Sequence, residues 1–474
     1  MLDRRRTLLT FVVTSIALFM VSLDNLVVTT ALPVIRKDLG ATLAQLEWTV
    51  NAYTLTFAVL LLTGAALGDR FGRKRMFTIG VAVFTAGSAA AALAPSAGAL
   101  IVARAIQGLG GAIVTPLTLT ILAAAVSPQR RALALGAWGG IAGLAVAIGP
   151  LVGGAIAQGV NWHWIFWVNV PIGVVTVALA FVRLDETRGP AGRLDLGGLA
   201  LASGGLLAFV WGVIHGNELG WFDPQIVAAV ALGVALLVAF VAWEARADHP
   251  MLPLHLFRSR AFAAANAVSL LMYFGMFGSI FLLSQFFQVV QGLNPFEAGL
   301  RILPWTAMPA FVAPVAGALV GRVGGRAILV PGMVLMSIGL GWLAIVSSPT
   351  VAYGTLVPAF IVSGIGMGLF FAPIGNIVLS AVQPTEMGKA SGANNAIREV
   401  GGVLGVAVLA SVFSANGSYG SPASYVAGLA PAVALGAVLV AVGAIVALAI
   451  PGRLSVTQVA VRRRSAVPEG DIAA

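Results

Sequence analysis

The sequence predicts an all-α integral membrane protein that crosses the bilayer about fourteen times, and three observations lead to this fold class. Of 474 residues, 59% are hydrophobic and only 9% are charged, whereas a soluble domain has about 25% charged residues. The mean hydropathy is +0.98, and the apolar excess extends over the whole chain. The apolar runs are continuous and about 20 residues long, as in membrane-crossing helices, whereas β-barrel strands would alternate.

The charges between the apolar runs alternate along the chain. Loops rich in Lys and Arg, such as 70–75, 183–193 and 258–260, alternate with loops that carry few of them. By the positive-inside rule we expect an even number of spans in the cytoplasmic (inner) cell membrane, with both termini cytoplasmic. The first run is too long for a cleavable signal peptide. The predicted spans are 8–32, 47–68, 76–94, 98–125, 132–157, 163–182, 196–214, 225–243, 262–287, 298–320, 327–347, 353–380, 396–415 and 427–450.

Two similar loops indicate that the chain has two halves. AALGDRFGRK (65–74) follows the second span, and GALVGRVGGR (317–326) follows the tenth. Parallel halves of six spans are one known transporter architecture. We therefore predict an N-terminal six-helix bundle at 1–190, two inserted transmembrane helices at 191–250, a C-terminal six-helix bundle at 251–455 and a cytoplasmic tail at 456–474.

One acidic residue, Asp24, lies inside the first apolar run, in LDNLVVTTALP at 23–33. A carboxylate near the middle of a spanning helix is unfavourable by about 2.5–3.5 kcal/mol, so we expect it to have a function. In the fourth span, VARAIQGLGGA (102–112) places Arg104 and Gln107 one helical turn apart on one face. A buried Arg does not readily lose its proton and needs an acceptor, and Asp24 is the acid in the same half. The alternative is a static structural ion pair.

The composition argues against several other function classes. There is no cysteine, which excludes disulfides, thiolate metal sites and cysteine nucleophiles. The four histidines have no zinc-ligand spacing, so we predict no metal site. No Walker A pattern is present, so we expect no ATP-driven transport and no cofactor. The net charge of +10 comes mostly from the basic loops that set the membrane topology. The sequence has no long basic face of the kind that would indicate nucleic-acid binding.

Two glycine-rich segments have a structural interpretation of their own. In GDRFGRKR (68–75), Gly72 permits a tight bend, and Asp69 at a helix C-terminus needs a cation or a helix N-terminus as partner. The alternative is that the basic residues of this loop only keep it on the cytoplasmic side, and that Asp69 has no function of its own. GGIAGLAVAIGPLVGG (139–154) has glycines for close helix packing and Pro150 for a kink.

These and other motifs resemble those of a known family. GDRFGRKR resembles the loop motif of the major facilitator superfamily, and RAIQG in the fourth span resembles its second motif. GIAGLAVAIGPLVGG resembles the fifth-span motif of its drug:proton antiporters, and LDNLVVTTALP the first-span motif of their fourteen-span branch. NWHWIFWVNVPIG, HLFRSRAF and GKASGANNAIREVGGVLGVAV match that branch as well. The chain departs from the pattern in its second loop, where Gly321 replaces the acid.

The resemblance implies a fold, a mechanism and several functional residues. The fold would be the major facilitator fold, two six-helix bundles with two extra helices between them, and transport would be alternating-access export driven by a proton gradient. Asp24 would be the proton-titrating carboxylate and Arg104 would couple to it. The cytoplasmic latch would comprise Asp69, Arg70, Gly72 and Arg73. The fifth-span hinge and seal would comprise Gly149, Pro150, Gly153 and Gly154.

Polar and aromatic residues inside the spans are candidates for the wall of a cargo cavity. Each has an alternative, because Trp and Tyr also mark membrane interfaces and Asn or Gln also bond between helices. Arg398 and Glu399 are expected to form a structural pair at the cytoplasmic end of the thirteenth span. The candidates are Asn25, Asn51, Tyr53, Gln107, Trp138, Tyr273, Gln285, Gln288, Arg301, Trp305 and Asn376.

The sequence thus favours a proton-coupled multidrug exporter of hydrophobic or cationic compounds, functional as a monomer in the lipid bilayer, and not an enzyme. Beyond Asp24 we expect no acid in the middle of a span, which favours uncharged or singly charged cargo. One alternative is a narrow-specificity exporter of one antibiotic or metabolite, and another is a non-coupled facilitator. A membrane sensor would need a sizeable soluble domain, and the sequence shows no such domain. An intramembrane enzyme would need a nucleophile–base pair or metal ligands, and the sequence shows neither of these.

Overall fold

The structure, a computed structural model, describes residues 2–126, 141, 144–145, 148–189, 194–383 and 386–452, without the side chains of 2–5, 25, 372 and 388. The elements within these ranges are helices and turns, with no strand. Thirteen helical segments among the described residues are long and apolar enough to cross a membrane, and two of these segments each consist of two consecutive helices. They correspond one for one to the predicted spans, apart from the span at 132–157, which lies largely outside the described residues.

The first half and the inserted pair contain ten described helices. Apart from the span at 132–157, each predicted span of this part lies within, or within a few residues of, an observed helix. In chain order they are α1 Leu2–Val27, α2 Leu32–Leu39, α3 Leu43–Phe71, α4 Arg73–Ala92, α5 Ala97–Ala125, α6 at 148–159, α7 Trp164–Trp167, α8 Asn169–Arg183, α9 Leu196–Leu219 and α10 Pro224–Glu244.

The second half follows a short 3₁₀ turn, Leu254–Arg258. Its tenth predicted span, 298–320, is two helices separated at Ala307, because Pro309 restricts the backbone there and has no N–H to donate. The helices are α11 Arg260–Val289, α12 Pro295–Thr306, α13 Met308–Val323, α14 Gly325–Val346, α15 Tyr353–Ser380, α16 Met387–Asn416 and α17 Pro422–Ala447.

The first predicted span, 8–32, is shorter in the structure because α1 ends at Val27. The chain then turns and forms α2, which has Pro33 in its first turn and ends at Gly40 with a φ of 61°. Asp24 therefore lies in the last turn of α1 and not near the middle of a helix. A negative charge at a helix C-terminus is disfavoured by the macrodipole, so Asp24 needs a strong partner.

Glycines let the helices of the first half approach closely, as the sequence predicts for the fourth span. A Cβ added at Gly108 would lie 2.4 Å from the Tyr53 carbonyl oxygen, and one at Gly110 would lie 2.4 Å from the Phe84 nitrogen. Only glycine fits at such distances. As a result α5 packs directly on α3 and α4, and its polar side chains lie between those helices.

The two halves meet at the end of the bundle that carries the loops at 40–42, 292–294 and 417–421, here called the Gly40 end. Ser284 on α11 donates to the Thr29 carbonyl oxygen at 3.1 Å, and Gln288 donates to the Thr30 carbonyl oxygen at 2.7 Å. Helix α3 packs on α16 across the same boundary. The Gly40 end is therefore closed in this structure. The opposite end, with the turn at 72, is called the Gly72 end.

The inserted helices α9 and α10 pack on each other, and α9 also contacts α3 and α16. Near the Gly40 end, Asn217 donates to the Ser411 hydroxyl at 3.0 Å, which links α9 to the second half. At the other end Asp195 caps α9. Burial opposes the ionised form of this carboxyl, but N–H donors, led by Gly198 at 2.7 Å, lower its pKa overall. The domain limits at 190 and 250 remain predictions.

Candidate functional site

Asp24 is the centre of a polar cluster inside the first half and is 1% exposed. One carboxylate oxygen accepts a hydrogen bond from Arg104 Nη1, and the two form a salt bridge. The other oxygen accepts from Gln107 Nε2 at 3.2 Å and from Asn169 Nδ2 at 3.0 Å. The pairing of Asp24 with Arg104 follows the sequence prediction, and its role in coupling remains a prediction.

Arg104 is also 1% exposed, and polar and aromatic groups contact its guanidinium. Its Nε donates to the Thr49 carbonyl oxygen at 3.2 Å and its Nη1 to Gln107 Oε1 at 3.0 Å. The guanidinium carbon lies 4.3 Å from the centre of the Tyr53 ring, a cation–π distance. Tyr53 itself donates to the Val21 carbonyl oxygen at 3.1 Å. The charge of Arg104 is thus compensated by one carboxylate, carbonyl oxygens and an aromatic face.

Two members of this cluster were missed by the sequence reasoning. Asn169 begins α8, and Ser88 on α4 accepts from Gln107 Nε2 at 2.7 Å. Asn169 lies in the quoted segment NWHWIFWVNVPIG, where it is the only polar residue in the stretch after His163. A single polar residue in an apolar stretch was the sequence signal that could have identified Asn169. No such signal marked Ser88, because serines are common between packed helices.

An apolar cavity of about 660 Å³ lies beside the cluster, between α1 and α8. Phe19 and Leu23 line it from α1, and Ile172 and Asn169 line it from α8. Asn169 therefore contacts the cavity and hydrogen-bonds Asp24 at the same time. A lipophilic group in this space would touch a direct partner of the carboxylate.

The loop motif at the Gly72 end forms a second, more exposed site. Arg73 donates to Asp69 Oδ1 from Nε at 2.9 Å and from Nη2 at 2.7 Å. Gly72 has a φ of 107°, which favours glycine. Asp69 thus has the cationic partner that its position requires. Arg70 is exposed, with its guanidinium 5.2 Å from the Phe71 ring.

An unpredicted carboxylate completes that turn. Glu186 accepts from the backbone N–H groups of Lys74 at 3.0 Å and Arg75 at 3.1 Å, at the start of α4. A negative charge there is stabilised by the helix dipole and by otherwise unsatisfied donors. The latch contacts of Asp69 and Glu186 lie within the first half, so a latch between the halves remains a prediction.

The fifth-span motif lies at the closed Gly40 end. A Cβ at Gly153 would lie 2.1 Å from the Val27 carbonyl oxygen on α1. A Cβ at Gly154 would lie 2.1 Å from the Pro295 carbonyl oxygen in the second half. Gly149 faces Leu26, and the Pro150 carbonyl oxygen faces Gly299. These positions lie where a seal between halves is needed; their role as a hinge remains a prediction.

The structure does not gather the candidate cavity residues into one wall. Tyr53 and Gln107 belong to the Asp24 cluster. Gln285 lies at the Gly40 end, where its Oε1 accepts from Tyr419 at 2.6 Å, and Gln288 contacts the first half. Burial raises the pKa of the Tyr419 phenol, which therefore remains a donor.

The remaining candidates are dispersed over the second half. Tyr273 is buried and stacks on Phe277, Arg301 lies 4.0 Å from the Tyr353 ring, and Trp305 is fully buried. Asn376 is exposed and accepts from Ser380 at 3.0 Å. Asn51 is fully buried on α3. Two candidates, Trp138 and the side chain of Asn25, lie outside the described residues.

The expectation that no further acid lies in the middle of a span is wrong for Glu399, and another acid, Glu47, is buried near the start of α3. Helix α3 begins at Leu43, four residues before the predicted span, and Glu47 is 2% exposed. Helix α16 begins at Met387 and not near 396, so Glu399 lies well inside it and is 9% exposed. Arg398 donates to Asn395, and its guanidinium lies 5.2 Å from the Tyr273 ring. Arg398 and Glu399 therefore lie well inside α16 and not near its start, where the sequence predicted a pair at the cytoplasmic end.

Metal binding has no support in the part of the chain that the structure describes. No group of three or more His, Asp or Glu side chains there is arranged to hold an ion.

Comparison with known proteins gives a consistent result. The Major Facilitator Superfamily profile matches residues 14–406. The tetracenomycin C resistance and export protein of Streptomyces glaucescens is 35% identical over 84% of this chain and 74% of its own length. The multidrug resistance protein Stp of Mycobacterium tuberculosis (strain CDC 1551 / Oshkosh) is 37% identical over 87% and 76%. A peptide transporter POT in complex with sulfate has a similar fold, with a TM-score of 0.67 and 16% identity over 94% and 95% of the two chains.

Proposed function

Because the chain belongs to the Major Facilitator Superfamily of transporters, we propose that it is a secondary active exporter that exchanges lipophilic drugs or antibiotics for protons. The similarity to a tetracenomycin C export protein and a multidrug resistance protein supports export of such compounds. The observation that carries the proton coupling is the buried contact of Asp24 with Arg104. The transporter would lie in the cytoplasmic membrane, function as a monomer with both termini cytoplasmic, and catalyse no chemical reaction.

The coupling follows from competition for one carboxylate. An ionised Asp24 accepts from Arg104, Gln107 and Asn169 at once. A proton on Asp24 would remove its charge and one acceptor position, and Arg104 would lose its only ionic partner in the cluster. Helices α1, α5 and α8 would then have a different preferred packing. The proton therefore changes the relative stability of the transporter's conformations, as coupling requires.

The cargo can act on the same carboxylate through Asn169. A lipophilic group in the cavity between α1 and α8 would hold this amide in place, where it donates to Asp24 at 3.0 Å. A fixed amide makes the ionised form of Asp24 more favourable, so binding of cargo opposes binding of the proton, as exchange requires. Binding of cargo and binding of the proton are then linked by a coupling free energy.

A narrow-specificity exporter is the second candidate, since several similar proteins are named for a single antibiotic. The cavity has an almost wholly apolar lining, which supports lipophilic cargo of either breadth. A non-coupled facilitator would not need a buried ion pair, because such a pair is no more stabilising than apolar side chains of similar volume.

The test is cargo-driven proton movement in inverted membrane vesicles that contain the full chain. The vesicles are energised, and collapse of the pH gradient is recorded after addition of lipophilic cations or aromatic antibiotics. We expect a cargo-dependent proton efflux in the wild type and at least a tenfold smaller one in Asp24→Asn. The matched control is Asp248→Asn, which makes the same change at an exposed acid in the loop after α10 and should retain the wild-type signal.

Two outcomes would contradict the proposal. Cargo movement that is independent of pH in the wild type would make the protein a facilitator. Cargo-dependent proton movement that persists in Asp24→Asn would leave Asp24 as a structural partner of Arg104. Asp24→Glu separates misfolding from lost coupling, because it keeps the charge and should retain measurable exchange.

A further inference from the structure

A second buried carboxylate lies on α3, outside the Asp24 cluster. Glu47 is 2% exposed, and its Oε2 atom has no hydrogen-bond partner among the described residues. Asn51, one helical turn further on, is fully buried, and within the same described ranges both polar atoms of its amide are also without a partner. Buried polar groups are satisfied in the large majority of cases, so three such atoms on one helical face require an explanation.

This face differs from the one that contacts Arg104. At 100° per residue, Glu47 lies about 120° around α3 from Tyr53, which is the residue under the Arg104 guanidinium. The face instead lies near the Gly40 end, where α3 packs on α9 and α16. Glu47 is therefore at the boundary between the halves, close to the contacts that close this end.

The charges around Glu47 do not favour an ionised carboxylate. From α9, Glu218 is close enough for its negative charge to act on Glu47. From the loop after α16, Tyr419 is a neutral phenol near Glu47, and Arg36 of α2 lies 3.8 Å above the Tyr419 ring. Three further charged groups lie on elements packed against α3 and act on Tyr53, on the other face: Asp24, Arg104 and Glu399.

We propose that Glu47 is a second proton-binding site, separate from Asp24, which holds a proton while the Gly40 end is closed and releases it to water when that end opens. An ionised carboxylate at 2% exposure without a cation is strongly unfavourable, whereas a protonated one is tolerated. When the halves separate at the Gly40 end, water reaches Glu47, the proton leaves its carboxyl oxygen as hydronium, and the carboxylate is hydrated. Asn51 then gains water as a partner as well.

The consequence is that a high pH on the Gly40 side favours the open state of that end. Closure requires a proton on Glu47, so its free energy becomes less favourable as the pH rises. The proposal rests on the proposed transport cycle only in assuming that the Gly40 end opens and closes.

The test measures the opening of the Gly40 end directly, without cargo. The sequence has no cysteine, so spin labels can be placed at Lys37→Cys and Thr350→Cys, two exposed positions on loops or helix ends of different halves. Distances are measured by pulsed electron resonance in the full chain in lipid nanodiscs from about pH 5 to pH 9. We expect the long-distance population to grow as the pH rises.

Three variants define the result. Glu47→Gln imitates the protonated carboxyl and should hold the closed distance at every pH, with at least a fivefold smaller change across the range. Glu47→Asp should keep a pH response, which shows that a carboxyl and not the side-chain length is required. Glu218→Gln should open at lower pH, because the repelling charge is gone.

Asp24→Asn distinguishes this inference from the proposed function. If Glu47 acts separately, Asp24→Asn retains the pH-dependent opening even where cargo-driven proton movement is lost. A wild type that shows no opening from pH 5 to pH 9, or a Glu47→Gln protein with the wild-type response, would overturn the inference. Neither result would affect the vesicle test of antiport.

Discussion

The two halves of the molecule hold their central helices together with different chemistry. In the first half, α1 and α5 meet through the ion pair of Asp24 and Arg104. In the second half, α11 and α16 share neutral hydrogen bonds, since Asn394 donates to Asn266 Oδ1 at 3.1 Å and to Ser269 Oγ at 2.9 Å. The Arg398 guanidinium of α16 also lies 5.2 Å from the centre of the Tyr273 ring of α11. The contact between α1 and α5 thus includes a carboxylate that can take up a proton, whereas these contacts between α11 and α16 do not.

The loops at the Gly72 end show the same difference. Both turns have a glycine with positive φ, 107° at Gly72 and 88° at Gly324. The first turn also has the Asp69–Arg73 pair, whereas the second has Gly321 at the position of the acid. Backbone geometry is therefore common to the halves, and the acidic groups of these motifs are found in the first.

The largest expected effect comes from removing the charge of Asp24. Asp24→Leu leaves the Arg104 guanidinium buried without its counter-ion, which should destabilise the protein by about 3–5 kcal/mol. The matched change in the second half, Asn394→Leu, removes neutral hydrogen bonds and should cost about 1–3 kcal/mol. Denaturant unfolding in mild detergent measures both. Equal losses of unfolding free energy in the two variants would show that the two clusters contribute equally to stability.

A smaller effect is expected from helix packing. Gly110→Ala would place a Cβ 2.4 Å from the Phe84 backbone nitrogen, and such overpacking costs about 1–3 kcal/mol. Gly317→Ala in the second half meets nothing within 4 Å and should be neutral or stabilising by less than about 1 kcal/mol. The difference in melting temperature between the two variants checks this. Destabilisation by Gly317→Ala would indicate a contact that this conformation lacks.

The smallest effect is expected at the loops. Asp69→Asn removes a partly exposed i,i+4 ion pair, which is worth about 0.3–0.5 kcal/mol. Gly321→Asp introduces the missing acid into the second loop near Arg322 and should change stability by no more than about 0.5 kcal/mol. Thermal unfolding at low and high salt measures both changes. A loss above about 2 kcal/mol in Asp69→Asn would mean that this turn contributes to the contact between halves.

Much of the fold could be predicted because continuous apolar runs and alternating basic loops specify spanning helices. The Asp24–Arg104 pair could be predicted because a buried Arg needs an acid. The predicted second span, 47–68, starts four residues after the start of α3, so Glu47 stood at its edge. Thr42 and Gln45 form a capping box that begins α3 earlier, and this Thr-x-x-Gln pattern was present in the sequence.

Other contacts could not be read from the sequence, because they depend on how helices distant in the chain are packed. Asn169 reaches Asp24 across 145 positions, and Glu186 reaches α4 across 112. The dispersion of the cavity candidates has the same cause, since helical spacing gives the face of a residue but not the neighbour of that face.

The most direct test of the account is the count of protons released when cargo binds to the purified protein. The cargo with the largest vesicle signal is added to weakly buffered, detergent-solubilised protein at a pH where proton exchange is observed, and the pH change is recorded. If cargo and proton compete for the Asp24 cluster, the wild type releases protons on binding and Asp24→Asn binds the cargo without this release. Equal proton release by both proteins would contradict the central role of Asp24.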